Sequence, residues 1–180
     1  VTADTLPAGF RFDTGTLLVN HGATDTAAGA FGELTAAALW SRQVLTTGRL
    51  RAVVVTAPDT GPEPFQAVHA IAERTADGLG IGAVEVAVCW TASGGTRQAS
   101  RLTADGWAVA GFADGTDLVL LATDALVPAA VLRDAITWPG TETVVIMASG
   151  ESGRTPDADE FAATLAALRR DLACPKGGAA

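Results

Sequence analysis

A layered α/β domain is the fold class that this 180-residue sequence predicts, and three observations carry the prediction. Short runs rich in Val, Leu, Ile and aromatics alternate with helical patterns along the whole chain. Most of these runs are apolar at consecutive positions, so both faces of the strands need covering, with helices on at least one side. Helix start and stop signals fall between the runs. The alternation leaves parallel and antiparallel pairing both open.

Strands are expected at 17–20, 27–31, 50–56, 84–90, 107–112, 118–123 and 143–148. The best-signalled helix is the last. Thr155 is its expected N-cap and Pro156 its first residue, with Asp157, Asp159 and Glu160 in the first turn, where the helix dipole favours negative charge. Phe161, Leu165, Leu168 and Leu172 then make one apolar stripe, and Arg169 and Arg170 suit the C-terminal end. A second helix is expected from Glu63 or Pro64 to Leu79, closing at Gly80, with Phe65, Val68, Ala72, Ala76 and Leu79 inward. A third spans 35–46, where Leu39, Trp40, Val44 and Leu45 supply the apolar face. These elements fill one domain over 1–174, and 175–180, PKGGAA, is expected to be a disordered tail.

Composition removes several function classes. No apolar run reaches the ~20 residues of a membrane span, and Val1 is followed by neither a basic nor a continuous apolar segment, so the expectation is a cytoplasmic protein without a secretory signal. Net charge is −8, and Lys176, in the tail, is the single lysine. No clustered basic face for nucleic acid is expected, nor a desolvated lysine for Schiff-base chemistry. Cys89 and Cys174 fit no metal spacing; Cys89, inside VEVAVCW, reads as core packing. Two histidines, His21 in the turn-like NHG and His69 in the second helix, are too few for a histidine metal centre. GxGxxG, Walker A, HExxH and GxSxG are absent, and GESG at 150–153 does not match the last of these. Neither metal nor cofactor is expected.

Several longer stretches carry a resemblance. ALWSRQVLTTGRLRAVVV at 38–55, TGPEPFQAVHAIAE at 60–73, GIGAVEVAVC at 80–89, GWAVAGFA and LVLLATDA around 106–125, and TVVIMASGESG at 143–153 follow one another in order. From about Leu17 to Leu172 the chain resembles the bifunctional ornithine acetyltransferases, or glutamate N-acetyltransferases, of the arginine pathway. The resemblance implies the fold of that family's N-terminal domain, without its C-terminal domain. Family members carry a KGxGM-type loop before a threonine, cleave themselves ahead of it, and use it as the acyl-accepting nucleophile. Thr116 takes that position here.

The departures fall at working positions. The loop before Thr116 shortens to Ala113–Asp114–Gly115 and the family lysine has no counterpart. An uncut threonine lacks the free α-amine that would serve as its base. The family CSTG oxyanion element reads Cys89–Trp90–Thr91–Ala92, the loop after the central strand shrinks to Ala57–Pro58–Asp59, and an STND-like stretch shrinks to Gly140–Thr141–Glu142. The region between Gly95 and Gly106 is also short.

The reading that follows is one subunit of a heteromeric biosynthetic enzyme of specialised metabolism, binding an amino-acid-derived amine. The reaction, nitrogen-ring closure being one example, would run on positioning without self-cleavage or an acyl-enzyme. Candidate catalytic residues are Asp114 and Thr116; candidate substrate contacts are Thr91, Ser93, Asp117 and Glu142. Asp114–Gly115 also reads as plain turn chemistry. The partner is expected to be a second subunit or another copy of the chain, covering surface that the family buries. The alternatives are a non-catalytic stabilising or regulatory subunit, and residual acetyl transfer to ornithine or glutamate.

Overall fold

The computed structural model describes residues 6–23, 25–30, 35–91 and 96–173. Nine strands and four helices occur among them: β1 (Phe10–Asp13), β2 (Thr16–Ala23), β3 (Asp25–Ala30), α1 (Ala36–Leu45), β4 (Leu50–Thr56), α2 (Pro64–Leu79), β5 (Val86–Trp90), β6 (Thr96–Leu102), β7 (Ala108–Asp114), β8 (Leu118–Thr123), α3 (Ala129–Asp134), β9 (Thr143–Ala148) and α4 (Ala158–Ala173). They form two sheets, ordered β1-β2-β4-β5 and β3-β9-β8-β7-β6. Both pairing modes occur: β4–β5 and β8–β9 are parallel, the first joined through α2 and the second through α3, and the other pairs are antiparallel.

The continuous apolar runs are explained by the layering. Leu118, Leu120 and Ala122 of β8 and Val145 and Met147 of β9 face Val53, Ala87 and Cys89 of the other sheet. The alternate residues, Val119, Leu121, Val144 and Ile146, meet Phe161, Leu165, Leu168 and Leu172 of α4. On the far side, Ala52, Val86 and Val88 pack against Ala37 of α1 and Val68, Ala72 and Ala76 of α2. Period-two alternation sends side chains to opposite faces, so each sheet needs apolar residues at every position when one face meets helices and the other a second sheet. The result is a helix–sheet–sheet–helix sandwich.

The stripe of α4 is buried as expected, but the helix starts later. Asp157 Oδ1 accepts from the Glu160 amide at 2.7 Å, so Asp157 does the capping that the sequence assigns to Thr155. In α2 the C-terminus is as expected, with Gly80 left-handed at φ +69, but Phe65 and Leu79 are 56% and 39% exposed. The helix touches its sheet along the narrower line Val68–Ala72–Ala76, so residues at its two ends project past the contact. His21, expected in a turn, lies within β2. His69 sits edge-on to Trp40, ring centroids 5.3 Å apart, with Glu73 at 3.7 Å, which makes it a surface packing residue.

Sheet edges and chain entries are closed by specific contacts. Strand β5 is an edge, yet its residues from Val86 to Cys89 are buried. Side chains of α1 take its free polar groups: Trp40 Nε1 donates to Val86 O at 2.9 Å, while Ser41 Oγ donates to Val88 O at 2.6 Å and accepts from Val88 N at 3.0 Å. At the start of β1, Gly9 adopts φ +91, and a Cβ there would lie 2.7 Å from that of Ser149. Gly9→Ala combines a disfavoured dihedral with a clash, and is expected to cost about 2–4 kcal/mol, read as a lower urea midpoint.

The ATDA stretch resolves into a brace. Asp124 Oδ1 accepts from Ala108 N at 2.7 Å, Thr123 Oγ1 donates to Ala108 O at 2.8 Å, and Ser152 Oγ donates to Asp124 O at 2.8 Å. These contacts fix the start of β7 and the loop after β9 to the end of β8.

One carboxylate in the first turn of α4, Glu160, is shifted upward by its neighbours. Hydrogen bonding to the Asp105 side chain is the leading cause that raises the Glu160 pKa, opposed by a hydrogen bond from Trp107 Nε1. A folded-state value above the unfolded one means that the native state binds the extra proton, so this contribution is present at acidic pH and is lost as pH rises through the raised value. Asp105→Asn is expected to bring the Glu160 midpoint down and to flatten that pH dependence, checked by carboxylate NMR titration.

Candidate functional site

Five segments, among them the loop after β4 through Pro58, converge on one cleft of about 220 Å³. It lies where β5 ends, at Cys89–Trp90–Thr91, and is bounded by the start of α1 at Thr35, by Asp117 from the β7–β8 turn, and by Glu142 and Thr143 at the start of β9. Three of the expected substrate contacts, Thr91, Asp117 and Glu142, therefore share a lining. Ser93 lies outside the described residues.

Local hydrogen bonding places each of these side chains. The Thr91 amide donates to Thr56 O at 2.9 Å, which extends the parallel β4–β5 pairing one residue past the strand. Asp114 pairs with Leu118, and the residues between close a tight turn in which Asp117 N donates to Asp114 O at 3.2 Å and Gly115 takes φ +53. The turn is then tied to β9: Glu142 N donates to Thr116 O at 3.0 Å and Thr143 N to Asp117 O at 2.9 Å. Arg97 Nη2 donates to Gly115 O at 2.8 Å from β6. Asp117 and Glu142 are thereby set side by side by backbone contacts.

The two expected catalytic residues stand apart from the lining. Asp114 is buried, 2% exposed, at the foot of the turn. Thr116 is exposed at the tip, its carbonyl committed to Glu142 N. Asp114–Gly115 opens a turn, and Asp117, two residues beyond Gly115, lines the cleft.

Three contributors to the lining were not expected from the sequence. Thr35 caps α1, accepting from Ala38 N at 3.1 Å, so the helix enters the cleft by its N-terminal end. The Asn/Ser/Thr/Asp preference at N-caps was the available signal, since such ends present free backbone donors. Thr143 arrives through strand register, which only pairing reveals. Trp90 also lines the cleft, and its buried indole N–H has no hydrogen-bond partner among the described residues. A buried unpaired donor costs about 1–3 kcal/mol, and a ligand oxygen would relieve that cost. Cys89 also reaches the lining, but burial pushes its thiol up to about 12 against the lowering effect of the Ser41 hydrogen bond, so it stays a protonated packing residue.

Ala38, Pro58 and Val88 share the lining with these polar residues, so the cleft is a mixed slot that carries acidic groups. Its polar members are Asp117, Glu142 and three threonines, beside the Trp90 side chain. Among the described residues no group of three His, Cys, Asp or Glu side chains could hold a metal, and no helix is long and apolar enough to cross a membrane.

The fold and cleft define a two-sheet layered α/β domain with a small cleft at its strand ends. Over most of its length the chain is related to the ornithine acetyltransferases named ArgJ. It is 33% identical to the arginine biosynthesis bifunctional protein ArgJ of Streptomyces coelicolor, with 87% of this chain and 58% of that protein aligned. Against ArgJ 1 of Streptomyces clavuligerus the figures are again 33%, 87% and 58%. Among solved structures, the ornithine acetyltransferase of Mycobacterium tuberculosis complexed with ornithine is 27% identical, with a TM-score of 0.49, over 56% of this chain and 78% of that one. No family model matches. The chain spans a little over half the length of the curated relatives it matches. The alignment to the Streptomyces coelicolor protein runs over 223 positions, more than the 180 residues present here, so that relative carries internal segments that this chain lacks. The shortened loops read from the sequence agree with this.

Proposed function

We propose that the cleft binds an amino-acid-derived amine and holds it for a biosynthetic reaction driven by positioning, the chain serving as one subunit of a heteromeric enzyme of specialised metabolism. The observation that carries the binding reading is the convergence of Asp117 and Glu142 on one slot with threonine hydroxyls and the unpaired Trp90 N–H. Two neighbouring carboxylates select an ammonium group. The indole and hydroxyl donors suit the oxygens at the other end of such a molecule. A net charge of −8 adds attraction for a cationic ligand as it approaches.

The relationship to the ArgJ proteins supports an amino-acid substrate, and the turn geometry supports a route other than an acyl-enzyme. Thr116 sits at an exposed tip outside the cleft lining, whereas a threonine nucleophile needs an adjacent base. Positioning alone can contribute several kcal/mol by removing the entropy of bringing the reacting groups together. A bound amine facing its own leaving group would need little more than a carboxylate to accept its proton.

Calorimetric titration with ornithine and N-acetylornithine tests the binding reading; saturable binding is expected, and its absence for both sinks it. The heteromer is tested by co-purification with the products of neighbouring genes. Acetyl transfer through Thr116 is the second reading, favoured by the family. It predicts an acetyl adduct by intact-mass analysis after incubation with N-acetylornithine, lost in Thr116→Ala; the first reading predicts none.

A further inference from the structure

On the opposite side of the first sheet, beyond the C-terminal end of α2, two hollows form one groove because they share Leu18 and Leu79 as floor. The smaller, about 130 Å³, is lined by Arg11 and Arg51 with Asn20. The larger, about 350 Å³, adds Arg74 with Thr14, Thr16 and Thr75. Three guanidinium groups thus collect along one groove of a chain whose net charge is −8.

Strand register accounts for the gathering. Arg11 stands opposite Leu18, and Leu18 opposite Ala52, so Arg11 reaches toward α2 across the sheet. Between Leu18 and Ala23 the β2–β4 register shifts, and Arg51 fills the irregularity by donating Nε to Val19 O at 3.2 Å. That bond holds Arg51 in place while leaving its terminal amino groups for another acceptor. Arg74 comes from the last half of α2. Among the described residues the ion pairs are His69–Glu73 and Arg101–Asp171, so none of these three arginines is neutralised by one. Asp13 is the one carboxylate in the lining, and it already accepts from Thr14 Oγ1 at 3.0 Å. The carbonyls at the end of α2 also carry partial negative charge, and the three guanidinium groups outweigh both.

We propose that this groove is a binding site for a small molecule bearing an oxyanion, a phosphate or a carboxylate, gripped by Arg11 and Arg51, with Arg74 and the threonine hydroxyls holding the remainder. Forked guanidinium donors match the paired oxygens of either anion, and the hydroxyls suit a polar body attached to it. The site is separate from the cleft at the β5 end and stands whether or not that cleft binds an amine.

The test is a backbone-amide NMR titration with sodium phosphate and, separately, sodium succinate, each against sodium chloride at matched ionic strength. Saturable shifts are expected at Asn20, Gly78 and Ile81 with at least one of the two anions, and whichever saturates identifies the oxyanion. Arg11→Gln combined with Arg74→Gln is expected to weaken that binding about tenfold or more, with the rest of the spectrum unchanged. Arg51 is left intact because it supports the strand irregularity. Shifts that are linear, or that chloride reproduces, would mean that the arginines merely offset the α2 carbonyls and would overturn the proposal, as would unchanged affinity in the double variant.

Discussion

Trp107→Ala lowers the stability of the fold by about 3–5 kcal/mol, the expected loss for truncating a large, fully buried aromatic. Trp107 is 0% exposed, stacks at 5.9 Å on Phe161 of α4, and donates Nε1 to Glu160 at 3.3 Å. It stands just before β7, next to Ala108, whose amide and carbonyl are held by Asp124 and Thr123. Removing it opens a cavity between α4 and the sheet at the point where the brace is anchored. Against a typical margin of about 5–15 kcal/mol, that loss leaves little. Urea unfolding checks it: the midpoint should fall with little change in slope. Phe65→Ala, at a position 56% exposed, should stay within about 0.5 kcal/mol of the parent. Equal effects at the two positions would refute the layered core.

For the cleft, the largest expected effect comes from removing its negative charge. Asp117→Asn weakens binding of ornithine about tenfold, and Asp117→Asn with Glu142→Gln about a hundredfold, the scale of charge-assisted hydrogen bonds to an ammonium. Both substitutions keep side-chain shape, and Asp117 and Glu142 contribute to the fold through backbone atoms, so the unfolding midpoint should hardly move. Calorimetry reads the affinity. A double variant that binds as tightly as the parent would remove these carboxylates from the site.

The elements legible in the sequence are those whose burial leaves a pattern. Strands β4, β8 and β9 match the expected runs at both ends, because apolar residues on both faces leave few polar positions to blur them. Strand β6 differs for the opposite reason: it is a sheet edge whose Thr96, Gln98 and Ser100 are exposed, so TRQASRL lacks an apolar signature. Strand β1 and helix α3, four and six residues long, are too short to show a period. The exposed Phe65 and Leu79 show that helical spacing marks a face without saying how much of it the sheet covers. In the cleft, Thr91, Asp117 and Glu142 were reached through the resemblance; their meeting depends on the β8–β9 register and the tie from Glu142 N to Thr116 O, which spacing along the chain cannot convey. That Asp114 is buried while Asp117 lines the cleft follows from the turn between β7 and β8, which spacing along the chain does not show.

The two side chains that α1 lends to β5 also bear on how this chain can associate with others. With Trp40 and Ser41 occupying the polar groups of that strand, no incoming strand can dock there without first evicting them. Lateral growth is therefore steered away from the rim nearest the cleft and toward the remaining borders, β1, β3 and β6. A subunit that extends one of these sheets would leave the mouth between β5 and β9 open to small molecules, so assembly and ligand traffic would use different sides of the same domain.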